Sequence, residues 1–220
     1  AVHAFAETDA AASLAGEDAR LLEHWLRDFR RAGHDLPDAG RAELERLNNR
    51  LVELKVAYQR NINDYRDGIE LTREQLAGLP DTYVERLTPG QAPGTYRVSL
   101  DYPEIGPFME QAHDRELRRE LFVKDWNKAS AANRPLLAEV LEVRRRIAAL
   151  LGEPTWAHHA MELKMARSPD RVREFYGTLL PSLDARIEAD LEGLREGLAS
   201  DGHDGPITAW DWRRFLRHLA

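Results

Sequence analysis

Leu44, Leu47, Leu51, Leu54, Tyr58 and Ile62 follow one another at steps of 3, 4, 3, 4 and 4. An α-helix turns once every 3.6 residues, so this spacing lines all six side chains along one stripe. A stripe of that length is stable in water only when another helix covers it, which commits the chain to helix-on-helix packing. The expected helix runs from LPD at 36–38 to about Tyr65.

The same periodicity recurs along the sequence. Leu21, Leu22, Trp25, Leu26 and Phe29 mark a helix that starts near Glu17 and stops at Gly33. Asp114 is placed to cap a helix to about Ala129 that carries Leu117, Leu121, Phe122 and Trp126. Asn133-Arg134-Pro135 is expected to open the next helix, with Pro in its first turn, and Leu151-Gly152 to close it. A short helix is expected over Thr155–Met165. A long one follows Ser168-Pro169 and carries Val172, Phe175, Leu179, Leu183, Ile187, Leu191, Leu194 and Leu198, with Pro181 as a kink. After the DGHDGP loop at 201–206, a last helix over about 207–219 would hold Trp210, Trp212, Phe215, Leu216 and Leu219.

Two-residue alternation appears only near 67–71 and 95–100, separated by the turn-rich segments LAGLP and TPGQAPG. This predicts one small antiparallel β-pair with a helical insertion. The expected fold class is therefore mainly α. Residues 1–16 form a poorly patterned N-terminal segment, and residues 17–220 a single helical domain.

At 220 residues the chain can bury a core without staples, and its lack of cysteine excludes thiol nucleophiles, disulfides and Cys-ligated metals. With 31 basic against 38 acidic residues the net charge is −7, which argues against general nucleic-acid binding. No apolar run reaches the roughly 18 residues of a membrane span. No membrane partner is expected, and the absence of cysteine suits a reducing, cytoplasmic location.

Eight histidines prompt a search for metal ligands, but none is followed by Glu, so HExxH is absent, as is its inverted form HxxEH. His158 and His159 are adjacent, so on a helix they diverge by about 100°. His113 and His159 each have a Glu three residues on, with no following His. Asp201–Pro206 lacks the donors of a calcium loop. Neither GxSxG nor a phosphate-binding glycine loop occurs. The tryptophans of AWDW at 209–212 could line a groove, although aromatics at such spacing are more often core. The residues alone thus nominate no catalytic and no metal-binding side chain, and leave substrate-binding residues unassigned.

The order of several segments carries more information. LPDAGRAELERLNNRLVELKVAYQRNI (36–62) precedes LTREQLAGLPDTY (71–83) and YRVSLDYPEIGPFMEQAHDRELRRELF (96–122). NRPLLAEVLEVRRRIAALLGEPTWAHHAMELKMARSPDRVREFY (133–176) and ITAWDWRRF (207–215) complete the set. Over roughly residues 20–217 this resembles the zinc oligopeptidase family that contains thimet oligopeptidase, neurolysin, bacterial oligopeptidase A and dipeptidyl carboxypeptidase. The most telling pieces are AGLP, the LDYP turn, R-x-x-x-A-x-LLG, and KMA-x-SP followed by V-x-x-FY. One departure is Trp212-Arg213-Arg214-Phe215, where the family more often has an aromatic pair.

The resemblance implies a much longer, mostly helical, two-lobed zinc metallopeptidase whose channel admits short peptides. The family's HExxH helix and third zinc ligand follow the AWD segment, so none of them can be carried onto a position here. By this likeness the chain is a piece of the non-catalytic lobe that forms a channel wall and is inactive alone. The alternative is a natural truncated helical module with a binding or regulatory role. The apolar spread of the 207–219 segment also suggests self-association, with Trp210 or Trp212 either unusually exposed or held in a contact with a second copy.

Overall fold

Residues 1–216 are described in the computed structural model. Four helices open the chain: α1 (Val2–Ala6), α2 (Asp9–Ala12), α3 (Gly16–Arg31) and α4 (Asp38–Asn63). Next come β1 (Gly68–Thr72), α5 (Asp81–Val84), β2 (Thr88–Pro89) and β3 (Thr95–Ser99). The remainder is helical: α6 (Tyr102–Gln111), α7 (Arg115–Trp126), α8 (Ser130–Leu150), α9 (Trp156–Met161), α10 (Pro169–Ser200) and α11 (Trp212–Phe215). The protein is mainly α with one small antiparallel sheet. No helix among the described residues is long and apolar enough to cross a membrane.

Two compact units emerge from this order. The first joins residues 1–60 with 132–173, the second residues 61–131 with the chain from Glu174.

In the first unit the leucine stripe meets its partner. Leu44, Leu47 and Leu54 of α4 are buried against Val143 and Ile147 of α8, and Leu36, Leu51, Leu136, Val140 and Trp156 pack around them. Polar pairs along the seam fix its direction. Glu43 pairs with Arg146, Arg50 with Glu139 at 2.6 and 2.9 Å, and the Asn133 amide donates to the Tyr58 carbonyl at 3.2 Å. Residue numbers rise along one helix as they fall along the other, so the two are antiparallel. Helix α8 ends as its sequence requires. Gly152 takes a left-handed φ of +74°, and Glu153 N–H donates to the Ala148 carbonyl at 2.8 Å.

The second unit is built on the sheet, in the order β1-β3-β2 with both pairings antiparallel. Gly68 pairs with Ser99 and Thr72 with Thr95, a register that turns Ile69, Leu71 and Val98 into one core. Phe108 and Met109 of α6 and Leu121 of α7 close that core. A further cluster forms where Phe215 packs on Leu194 and Leu198 of α10.

Several boundaries differ from the sequence expectation. Strand β2, only two residues long, adds a third strand to the expected pair. Helix α6 lies where the sequence reading places no element beyond the LDYP turn; Pro103, Gly106 and Pro107 crowd its ten residues, but Pro103 is harmless in a first turn, where its missing N–H has no partner anyway. Helix α8 starts at Ser130 rather than at Asn133, after Ala129 turns the corner at a left-handed φ of +52°. Helix α9 ends at Met161 instead of Met165. Helix α10 runs through Pro181.

The expected helix over 207–219 is also corrected. Residues 207–211 are loop and turn, and helix begins only at Trp212. The Asp211 carboxylate accepts from the Thr208 backbone N–H at 3.0 Å and its hydroxyl at 2.5 Å, which holds this segment as a turn leading into α11. Leu219 lies outside the described residues.

Candidate functional site

The most polar part of the interior lies in the second unit. Asp114 caps α7 by accepting from the Glu116 and Leu117 N–H groups at 2.9 and 3.1 Å. This fixes the first turn so that Arg115 and Arg118, three residues apart, share a face. Arg115 donates from Nε and Nη2 to the two Asp211 carboxylate oxygens at 2.9 and 2.7 Å, a bidentate pair. Arg118 is fully buried and donates from Nη1 to the Ala112 and His113 carbonyls at 2.6 and 3.0 Å. Its Nη2 lies 3.7 Å from Asp211. Arg214 pairs with Asp201 and donates to the Gln111 carbonyl at 3.0 Å. Arg118 and Arg214 thus place positive charge on the last carbonyls of α6, where the helix dipole is negative.

Burial by itself would push the Asp211 carboxyl up. The hydrogen bonds from Arg115 and Thr208 outweigh it and hold the group below the usual carboxylate range. Burial, reinforced by the Arg214 charge, pulls the Arg118 guanidinium down. Three arginines face two aspartates here. Arg118 Nε and Nη2 have no hydrogen-bond partner among the described residues. The network anchors the 201–211 loop to α7 and to the end of α6.

The histidines singled out by the sequence sit elsewhere. His158 faces Thr155 at 2.9 Å within the cap of α9. His159 Nε2 lies 3.2 Å from Arg31 Nη2, and burial followed by the Arg31 charge pulls its imidazole pKa down. Arg31 donates to Glu162 at 2.7 Å and to the His159 carbonyl at 2.7 Å, and Arg30 also pairs with Glu162. These contacts tie the end of α3 to α9. Beside them lies an open groove of about 1260 Å3, with Arg20, Lys164 and Arg167 along its lining.

Zinc needs three or four converging nitrogen or oxygen donors in a cysteine-free protein. Among the described residues no group of three His, Asp or Glu could hold a metal ion. These residues therefore do not fit a zinc centre. Of the two acids in the 201–206 loop, Asp201 is committed to Arg214.

The AWDW tryptophans divide between two roles. Trp210 is half-buried against the sheet core, edge-on to Phe122 at 6.2 Å and beneath Arg119 at 5.7 Å. Trp212 is 41% exposed at the mouth of a small apolar cavity. Sequence reasoning missed the Arg115–Arg118–Asp211 network. Its available signal was an arginine inside the apolar stripe of α7, one turn before Leu121.

The profile of peptidase family M3 matches residues 108–219, just over half of the chain. Saccharolysin of Saccharomyces cerevisiae is 26% identical over 214 residues, covering 92% of this chain and 30% of its own length. Thimet-like oligopeptidase of Dictyostelium discoideum is 28% identical over 193 residues, 87% of this chain and 28% of its own. Oligopeptidase A of Salmonella typhimurium is 26% identical over 206 residues, 87% of this chain and 30% of its own. The chain spans about 30% of the length of these curated relatives. A profile match from the end of α6 through α7, α8, α9 and α10 to the Asp211 loop, joined to relatives aligned over nearly the whole chain, places the protein in peptidase family M3.

Proposed function

We propose that this chain is the non-catalytic part of a longer zinc-dependent oligopeptidase that hydrolyses short peptides, and that it supplies one wall of the channel receiving them. The observation that carries this reading is membership of peptidase family M3 by a chain spanning about 30% of its relatives' length. In this reading the zinc and the residues that act on the scissile bond belong to the rest of the polypeptide, and the chain alone is inactive. A cytoplasmic location is part of the same proposal, supported by the cysteine-free sequence.

What a wall of this kind contributes is position. Holding a peptide in register converts an encounter into a near-unimolecular reaction, and rigid helical packing such as the α4–α8 seam keeps the wall in shape. The test is to sequence the intact gene beyond codon 220. The reading expects an open frame that continues into HExxH and a downstream Glu. A stop codon directly after codon 220 would contradict it and put a truncated binding module in its place.

A further inference from the structure

A cavity of about 160 Å3 opens in the second unit between α6, the end of α7 and the first residues of α11. Its floor is apolar: Ile105 and Met109 are 8% and 4% exposed, and Phe122 lies beside them. Around this floor stand three rings that the core does not use. Tyr102 is 76% exposed, Trp126 74% and Trp212 41%. Apolar surface left in water costs about 25 cal/mol per Å2, so three large rings around one apolar hollow favour an occupant. A cavity of about 150 Å3 lined by aliphatic and aromatic carbon holds a benzene-sized ring. This one therefore accommodates a single aromatic or branched aliphatic side chain.

The rim adds a charge. Lys128 is satisfied by Asp125 at 2.7 Å and by the Leu100 carbonyl at 2.7 Å. Arg213 lies over the Trp212 ring at 5.3 Å, and no carboxylate partners it among the described residues. Among the described residues the rim thus carries a guanidinium with no carboxylate partner beside an apolar hollow. Its complement is an anion attached within two bonds of an apolar side chain, an arrangement found in the C-terminal residue of a peptide.

We infer that this pocket binds the C-terminal residue of a short peptide, with its apolar side chain in the hollow and its carboxylate on Arg213. The inference rests on the peptide-handling function proposed above and adds to it a subsite, a residue class and a charge requirement. Arg213 acts here as a specificity-determining residue, since a guanidinium recognises a carboxylate by direct hydrogen bonds and an amide satisfies it poorly.

The test uses the 220-residue chain labelled with 15N and two probes, acetyl-glycyl-phenylalanine as the free acid and as its amide. The five tryptophan indole signals are assigned by single Trp→Phe substitutions and followed by NMR during titration. Expected are shifts at Trp126 and Trp212, none at Trp25 and Trp156, and about tenfold tighter binding of the acid than of the amide. Arg213→Gln should abolish that preference while leaving the weaker binding of the amide unchanged. Trp126→Ala, a change at an exposed ring, should weaken both probes. Equal affinities for acid and amide would overturn the inference, as would a preference that survives Arg213→Gln. So would shifts that depend on protein concentration without probe, which would mean that a second copy covers the pocket. The readout is binding and not hydrolysis, so its failure removes the pocket assignment alone and leaves the gene test to judge the peptidase reading.

Discussion

Replacing Asp211 by Asn removes the one buried anion among the described residues that Arg115 and Arg118 both face. The carboxylate is fully buried and accepts four hydrogen bonds, two from Arg115 and two from Thr208. Each charge-assisted bond contributes about 1.5–3 kcal/mol, and breaking a buried pair while leaving its partner charged costs about 3–5 kcal/mol. Asn offers an N–H where an acceptor is required, so the expected loss is about 3–5 kcal/mol. For a chain of this size that lowers the melting midpoint by about 6–20 °C. Urea denaturation followed by tryptophan fluorescence and far-UV circular dichroism would measure it. The pH dependence supplies a second signature. Because the folded-state pKa of Asp211 is lowered, its stabilisation is complete above the ordinary carboxylate range and is lost as pH falls through the folded value. The wild-type chain should therefore lose stability in acid more steeply than Asp211→Asn. Asp170→Asn, whose pair with Arg173 is exposed, serves as the control and should leave the midpoint unchanged. A loss below about 1 kcal/mol for Asp211→Asn, or identical acid limbs, would refute the reasoning.

Other expectations follow from the same packing. Phe108→Ala, at a fully buried position in the sheet core, should cost about 3–5 kcal/mol in urea denaturation. Gly78→Ala should destabilise far more than Gly152→Ala. Both have positive φ, but an added Cβ at Gly78 would meet the Gln111 carbonyl at 2.2 Å, whereas Gly152 faces open space and incurs only left-handed strain of about 1–2 kcal/mol. His159 should titrate below the usual histidine value of about 6.5 in an NMR pH series. The stability linked to it is then complete above that value and is lost as pH falls through the folded one, so His159→Gln should flatten the stability profile across this window.

What the sequence revealed and what it hid have physical causes. The α4 stripe was legible because periodicity is a local property, and Leu44, Leu47 and Leu54 are buried as that periodicity requires. The Asp114 cap was legible because one residue and its next three decide it. Helix α6 was hidden by residues that normally break helices, and β2 is too short to show alternation. The Asp211 network joins residues 96 apart in sequence, so no window of the chain displays it. Its effect on the expected 207–219 helix was equally invisible, because the Thr208–Asp211 turn depends on a carboxylate that Arg115 holds in place. The aromatic pocket was half legible. The tryptophans stood out, but only the fold separates Trp210, which serves the core, from Trp212, which serves the cavity.

Under the function proposed above, the chain is part of a longer peptidase and holds no catalytic centre of its own. The most direct measurement incubates the purified 220-residue chain with zinc, dialyses it, and assays both bound metal and cleavage of an internally quenched peptide, with and without a chelator. The account expects substoichiometric zinc after dialysis and no cleavage above background in either condition. One zinc retained per chain together with chelator-sensitive hydrolysis would contradict it.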